Sequence, residues 1–331
     1  MNPNHSLYET VVTTASLHQD NDALFFMGKA VKYPALIAKI DEAAAGFVGA
    51  GIGAEDVVTV CMPNVLETIY AFYALSKIGA IAHMVHPLTP YAQMKGYMKH
   101  ADSKMLVILD TMHSIYRGLV DELGITLVLA CPVATFSGIK PFAYRLINRK
   151  KLAGIVYGDK VKAFSSFAAG QPAAKTAKTD PKAAAVYLHS GGTSGQPKTI
   201  ELSAYAINTL AFQVQYVMEE PDFNGRHMLG VLPMFHGFGL CMGIHAMLCV
   251  GGTDTLMPKF KADQTIDLIK KNRVNYVIGV PTLFESLLNH PKFTGKHLQN
   301  LRRAYVGGDF VATKLKEDFS RVAKEWGSTA E

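Results

Sequence analysis

Cysteine is scarce in this chain, and what there is stands apart. Cys61, Cys131, Cys241 and Cys249 form no C-x-x-C pair and each lies in an apolar stretch. That spacing argues against a zinc site or a disulfide framework and for buried thiols in a reducing compartment. Long apolar runs are missing too. The longest such stretch, residues 231–252, is broken by His236, His245 and several glycines, so no transmembrane helix is expected. The first ten residues have neither the basic nor the apolar segment of a signal peptide, and a cytoplasmic location follows as the expectation. The net charge of +6 is mild and spread along the chain, which suits an anionic small ligand and not a nucleic-acid-binding arm. No internal repeat is visible.

What is present is alternation. At 331 residues the chain exceeds the usual size of one hydrophobic core, so two are expected. Short apolar runs at 23–27, 56–62, 81–85, 105–109 and 125–130 read as strands. Apolar residues at helical spacing fill 34–50, 65–78, 91–100 and 113–123 between them. The second half continues with strands at 228–232, 253–257, 276–280 and 302–306, and helices at 262–271, 281–289 and 312–326. Strand, helix, strand with short connections means an α/β protein whose mostly parallel sheets carry helices on both faces. Residues 136–182 are less regular, and 170–181 reads as an exposed linker. Within them, 141–151 carries Arg145, Arg149, Lys150 and Lys151 beside Phe142, Leu146 and Ile147. Such a helix could rest weakly on a membrane surface; a solvated face near a subdomain boundary is the preferred reading.

One stretch carries the chemistry. Strand-like residues 183–188 lead into Ser190-Gly191-Gly192-Thr193-Ser194-Gly195-Gln196-Pro197-Lys198, and Ser203 is placed to cap a helix over 204–218. The glycines let backbone N–H groups approach a ligand, the hydroxyls donate, and Lys198 adds positive charge. Successive N–H groups in such a turn make an anion-binding concavity, a cradle for a polyphosphate. A flexible connection is the plain alternative. The common P-loop is excluded, because its glycine before the lysine is here Pro197, which has no N–H.

The nine residues from Ser190 closely resemble the signature loop of the AMP-forming adenylating enzymes: acyl-CoA synthetases, luciferases and peptide-synthetase adenylation domains. Ser194 stands where threonine is usual, and Thr199 where glycine is usual. Further segments resemble the family in order and spacing: Met62-Pro-Asn64, Ser76 to Ala80, His86 to Pro90, Pro233 to Gly239, Val280-Pro-Thr282 and Gly307-Gly308-Asp309.

The resemblance implies the large N-terminal domain of an acyl-CoA synthetase, with two doubly wound sheets. Subdomain A would span about 65–225, including the phosphate loop, and subdomain B about 20–62 plus 226–331. It implies ATP, Mg²⁺ and coenzyme A as cofactors and a carboxylic acid as substrate. In that reading residues 190–198 hold the phosphates, with Thr193 helping to bind the metal and Lys198 acting in catalysis. His236, with Gly237, Phe238 and Gly239, would place the acid, and Gly307, Gly308 and Asp309 would edge the adenine and acyl pockets. Apolar residues near 238–247, with no acidic neighbour, favour an apolar acid over an amino acid. The family's adenine-stacking loop, hinge and C-terminal lysine are not found before Glu331, so the chain looks like a truncated domain that binds but scarcely turns over. A non-catalytic binding module, a ligase loading a carrier protein, and a homodimer remain open.

Overall fold

The computed structural model describes residues 2–190 and 198–330. The chain divides into two compact units, one comprising residues 10–36 and 207–330, the other 2–9 and 37–206. Each is built around its own sheet.

The second unit carries β3 (Val57–Cys61), β4 (Ile81–Met84), β5 (Ser103–Leu109), β6 (Thr126–Ala130), β7 (Val161–Ala163), β8 (Ala184–His189) and β9 (Thr199–Ser203). They lie in the order β7-β6-β5-β3-β4-β8-β9. Every pair is parallel except β8 with β9. The central strands are buried on both faces, as continuous valine and isoleucine runs require in a helix-covered parallel sheet. Leu106, Ile108, Leu127 and Leu129 pack there with Met94, Met98, Tyr116 and Leu119 from the helices.

The first unit carries β1 (Asp22–Phe26), β2 (Lys29–Lys32), β10 (His227–Gly230), β11 (Thr253–Leu256), β12 (Tyr276–Gly279) and β13 (Arg303–Val306). Their order is β13-β12-β10-β11-β1-β2, with only β2 antiparallel. On one side Leu229 and Val277 meet Leu283, Phe284 and Leu287 of the helix Pro281–Leu288 and Phe319 of the helix Thr313–Glu325. The single tryptophan, Trp326, packs against this cluster.

Two mostly parallel sheets flanked by helices are therefore present, as expected. The boundaries are not those expected. β3 pairs with β4 and β5, so the stretch around 57–61 belongs with the sheet of the phosphate loop and not with residues 226–331. β2, β7 and β9 were not anticipated. They are edge strands of three to five residues, too short to show a period.

The first unit also buries polar groups. Asn208 Oδ1 accepts from Thr10 Oγ1 at 3.1 Å and from His245 Nε2 at 2.8 Å, which assigns the Nε2–H tautomer to that imidazole. Burial pushes His245 down to about 3, so it is held neutral. Asp254 on β11 has no exposure, and neither carboxyl oxygen finds a hydrogen-bond partner among the described residues. Burial raises it well above the usual carboxylate range, so the folded unit holds it as the neutral acid. Glu220 is the opposite case. It accepts from Arg302 Nε at 2.6 Å, Tyr276 Oη at 2.8 Å and Arg226 Nε at 3.0 Å. Burial works to raise it, but those hydrogen bonds and charges outweigh burial and keep it ionised.

Candidate functional site

The expected site residues fall into two sets, one in each unit. In the second unit β8 and β9 form a hairpin, with His189 opposite Thr199. The chain leaving the loop thus enters a strand, and the helix Ala204–Met218 begins only after it. This corrects the expected strand-loop-helix order. Thr199 takes part in the ladder, so its replacement of glycine serves the strand. Ser203 does cap the helix, accepting from Ala206 N at 3.2 Å.

Across the mouth of the hairpin Ser190 N donates to Lys198 O at 3.0 Å, and Lys198 N donates to Ser190 Oγ at 3.2 Å. Both ends of the loop are thereby pinched together, and Lys198 is exposed. Gly191, Gly192, Thr193, Ser194, Gly195, Gln196 and Pro197 lie outside the described residues.

Below this neck sits a group that sequence reading did not single out. His189 Nε2 and His83 Nε2 are 2.7 Å apart, His83 Nδ1 is 3.0 Å from Thr59 Oγ1, and Thr59 Oγ1 donates to Ser103 Oγ at 2.7 Å. Ser103 Oγ donates onward to Met105 O at 3.1 Å. Because Thr59 spends its hydroxyl proton on Ser103, it must accept from His83 Nδ1–H. His83 Nε2 then accepts from His189 Nε2–H. His189 Nδ1 is left as an acceptor with no partner among the described residues. Tyr97 stacks on His189 with ring centroids 3.7 Å apart and planes 13° from parallel. Burial pushes His83 down to about 3, helped by the neighbouring His189 and His100, and burial lowers His189 as well. Two neutral imidazoles fixed in one direction thus support the strand that delivers Ser190. The available signal was a histidine placed directly before the glycines.

In the first unit the expected residues lie where the parallel strands end, the edge at which open α/β sheets bind ligands. After β10 the chain turns, with His236 N donating to Pro233 O at 3.1 Å, and His236 is exposed with the Phe235 ring edge-on at 4.8 Å. Phe238–His245 then forms a π-helix, a rare i→i+5 turn often associated with functional positions. Its apolar, glycine-rich sequence shows no helical period, which hid it. Gly239 is required by the chain itself, since a Cβ there would come within 2.3 Å of Pro233 O. At the end of β13, Gly308 has φ +82°, a left-handed turn that a side chain strains. Gly307 differs: an added Cβ would meet only the Phe238 ring, at an ordinary 3.6 Å. The fold therefore places Phe238 beside Gly307. Asp309 is exposed and its Oδ1 accepts from Phe310 N at 2.7 Å, which ties it to its own turn. Among the described residues no cluster of three His, Cys, Asp or Glu side chains could hold a metal.

The family described as AMP-binding enzyme matches residues 11–329. A long-chain-fatty-acid–CoA ligase of Bacillus subtilis is 24% identical over 97% of this chain and 58% of its own length. A vibriobactin-specific 2,3-dihydroxybenzoate-AMP ligase of Vibrio cholerae is 27% identical over 84% of the chain and 48% of its own length. Among solved structures, apo MatB from Rhodopseudomonas palustris superposes with a TM-score of 0.80 at 19% identity, over 97% of this chain and 58% of that one. The anthranilate CoA ligase AuaEII in complex with anthranoyl-AMP superposes at 0.81 and 14% identity, over 100% and 60%. The chain spans little more than half the length of such relatives.

Proposed function

The chain belongs to the AMP-binding enzyme family, and from that premise we propose that its protein activates a carboxylic acid with ATP and passes the acyl group to coenzyme A. A carboxylate oxygen attacks the α-phosphorus, the bond to the β-phosphate breaks, and pyrophosphate leaves the acyl-adenylate. The thiol of coenzyme A then attacks the acyl carbon and AMP departs. The protein contributes position and charge.

The pinched loop supports this reading most directly. Ser190 and Lys198 hold the two ends of a glycine-rich segment together, and a glycine- and hydroxyl-rich sequence of that kind suits the β- and γ-phosphates. Lys198 would offset charge on the departing pyrophosphate. The Thr193 hydroxyl, a hard oxygen donor, would help hold Mg²⁺, which when bound neutralises phosphate oxygens. His236, with Gly237, Phe238 and Gly239, would position the acid. Gly307, Gly308 and Asp309 would border adenine and acyl groups. The π-helix is apolar, with Leu240, Cys241 and Ile244 buried and no acidic residue in its own sequence, which favours an apolar acid.

The test is ATP–pyrophosphate exchange by the full-length protein across a panel of carboxylic acids. Exchange is expected with apolar acids, and Lys198→Ala is expected to lower it about 10²-fold. Undiminished exchange in that variant, or exchange with amino acids alone, refutes the proposal. Transfer to an acceptor other than coenzyme A, such as a carrier protein, is the second reading, since one relative is named an AMP ligase and not a CoA ligase. Acyl-CoA formation by the same enzyme distinguishes them.

A further inference from the structure

The helix Ile139–Ile147 in the second unit presents its apolar stripe to solvent. Ile139, Phe142 and Leu146 recur at three- and four-residue spacing and so share one face. With Ile147 beside them, these side chains are 58–80% exposed. Tyr144 points the other way, and its hydroxyl donates to Asp110 Oδ1. Pro141, Tyr144 and Arg145 line a cavity of about 810 Å³ together with Arg149, Cys131 and Tyr157. An ordinary surface helix buries its apolar stripe; this one leaves it exposed and buries no residue.

The charge around it has one sign. Residues 140–162 contain Lys140, Arg145, Arg149, Lys150, Lys151, Lys160 and Lys162 against Asp159 alone. A second copy of the chain meeting this face symmetrically would set like charges against like. A nucleic acid would leave four apolar side chains facing phosphate. An anionic lipid surface satisfies both features: the apolar stripe enters the acyl boundary and the cations stay at the headgroups. Among the described residues no helix is long and apolar enough to cross a membrane, so the contact is one of lying in the surface.

We propose that the face formed by Ile139, Phe142, Leu146 and Ile147, with Arg145, Arg149, Lys150 and Lys151, docks the protein on an anionic phospholipid bilayer. This stands apart from the adenylation chemistry and can be tested without turnover. Were both correct, the protein would work where apolar acids dissolve.

The experiment is co-sedimentation of the 331-residue chain with vesicles of phosphatidylcholine alone and of phosphatidylcholine mixed with phosphatidylglycerol. Binding to the mixed vesicles only is expected, and high salt should weaken it. Phe142→Ser with Leu146→Ser should reduce partitioning at least about tenfold. Arg149→Ser and Lys150→Ser should each reduce it about fivefold. All four side chains are exposed, and unchanged thermal melts by circular dichroism verify folding. The charge variants carry the test if the apolar pair does not fold. Equal sedimentation with both vesicle types overturns the proposal, as does binding that none of the variants alters. So does a lipid-free dimer that dissociates when Phe142 and Leu146 are replaced, because a second copy would then be the occupant.

Discussion

Replacing Asp254 by asparagine tests whether the first unit really carries a neutral carboxyl in its core. In the folded unit the group stays protonated because it is fully buried and neither oxygen has a partner among the described residues. In the unfolded chain it ionises above about pH 3.9. Between those limits unfolding releases a proton, so stability falls as pH rises, by about 1.4 kcal/mol per pH unit. Two histidines of the same unit act with the opposite sign. Burial pushes His227 to about 4, with Arg273 helping, and His245 to about 3. Each binds a proton on unfolding below about pH 6.5, so their contribution is complete above that value and is lost as pH falls.

Two such histidines outweigh one carboxyl below that pH and are silent above it, which puts the stability maximum of the unit near pH 6.5 on these three groups. Asp254→Asn removes the carboxyl's contribution, which flattens the alkaline arm and steepens the acid one. The asparagine leaves an unpaired amide costing about 1–3 kcal/mol, but that cost does not vary with pH. Above pH 6.5 the variant should therefore gain on the natural protein as pH rises, by up to about 1.4 kcal/mol per pH unit while Asp254 stays protonated in the fold. Urea unfolding followed by Trp326 fluorescence reads this unit alone, since the chain has one tryptophan and it packs in that core. A stability difference that stays level with pH would show Asp254 to be ionised in the fold, and the reasoning would fail.

Other expectations follow from the same geometry. Glu220→Gln should destabilise the first unit by about 1–3 kcal/mol, because two arginines and Tyr276 lose a charged acceptor; urea midpoints with Trp326 as probe check it. Gly307→Ala should leave that midpoint within about 0.5 kcal/mol, since the added methyl finds ordinary space, while lowering acid-dependent pyrophosphate exchange in the full-length protein. Unaltered exchange would remove Gly307 from the proposed pocket. His83→Leu should relieve the second unit of a histidine that resists protonation, so that its acid unfolding below pH 6.5 becomes shallower than that of the natural protein by up to about 1.4 kcal/mol per pH unit. Far-UV circular dichroism across that range measures the difference.

The sheets could be read in advance where burial leaves no choice. The valines of β3 and the Met105–Leu109 run of β5 are apolar on both faces, and only a helix-covered parallel strand accommodates that. Ser203 announced its helix by capping chemistry alone. β9 was missed because Thr-Ile-Glu-Leu-Ser gains its extended shape from pairing with β8, a long-range partner that no local period reveals. The same holds for His83 and His189: 106 residues apart, they become neighbours only through the β4–β8 pairing. The π-helix left no trace because glycine and apolar residues alternate without a face. The outward stripe at Ile139–Ile147 was legible as a pattern, but not its direction, which depends on Tyr144 finding Asp110.

The hairpin at Ser190 and Lys198 also constrains how this segment can change. Side chains along β9 alternate between the two surfaces, so losing or gaining one residue in the strand would swap every inward group with its outward neighbour. Insertions and deletions near the loop should accordingly be tolerated in twos, or absorbed where the ladder already slips between Ala184 and Val186. The position of the lysine is counted from the far end of its strand.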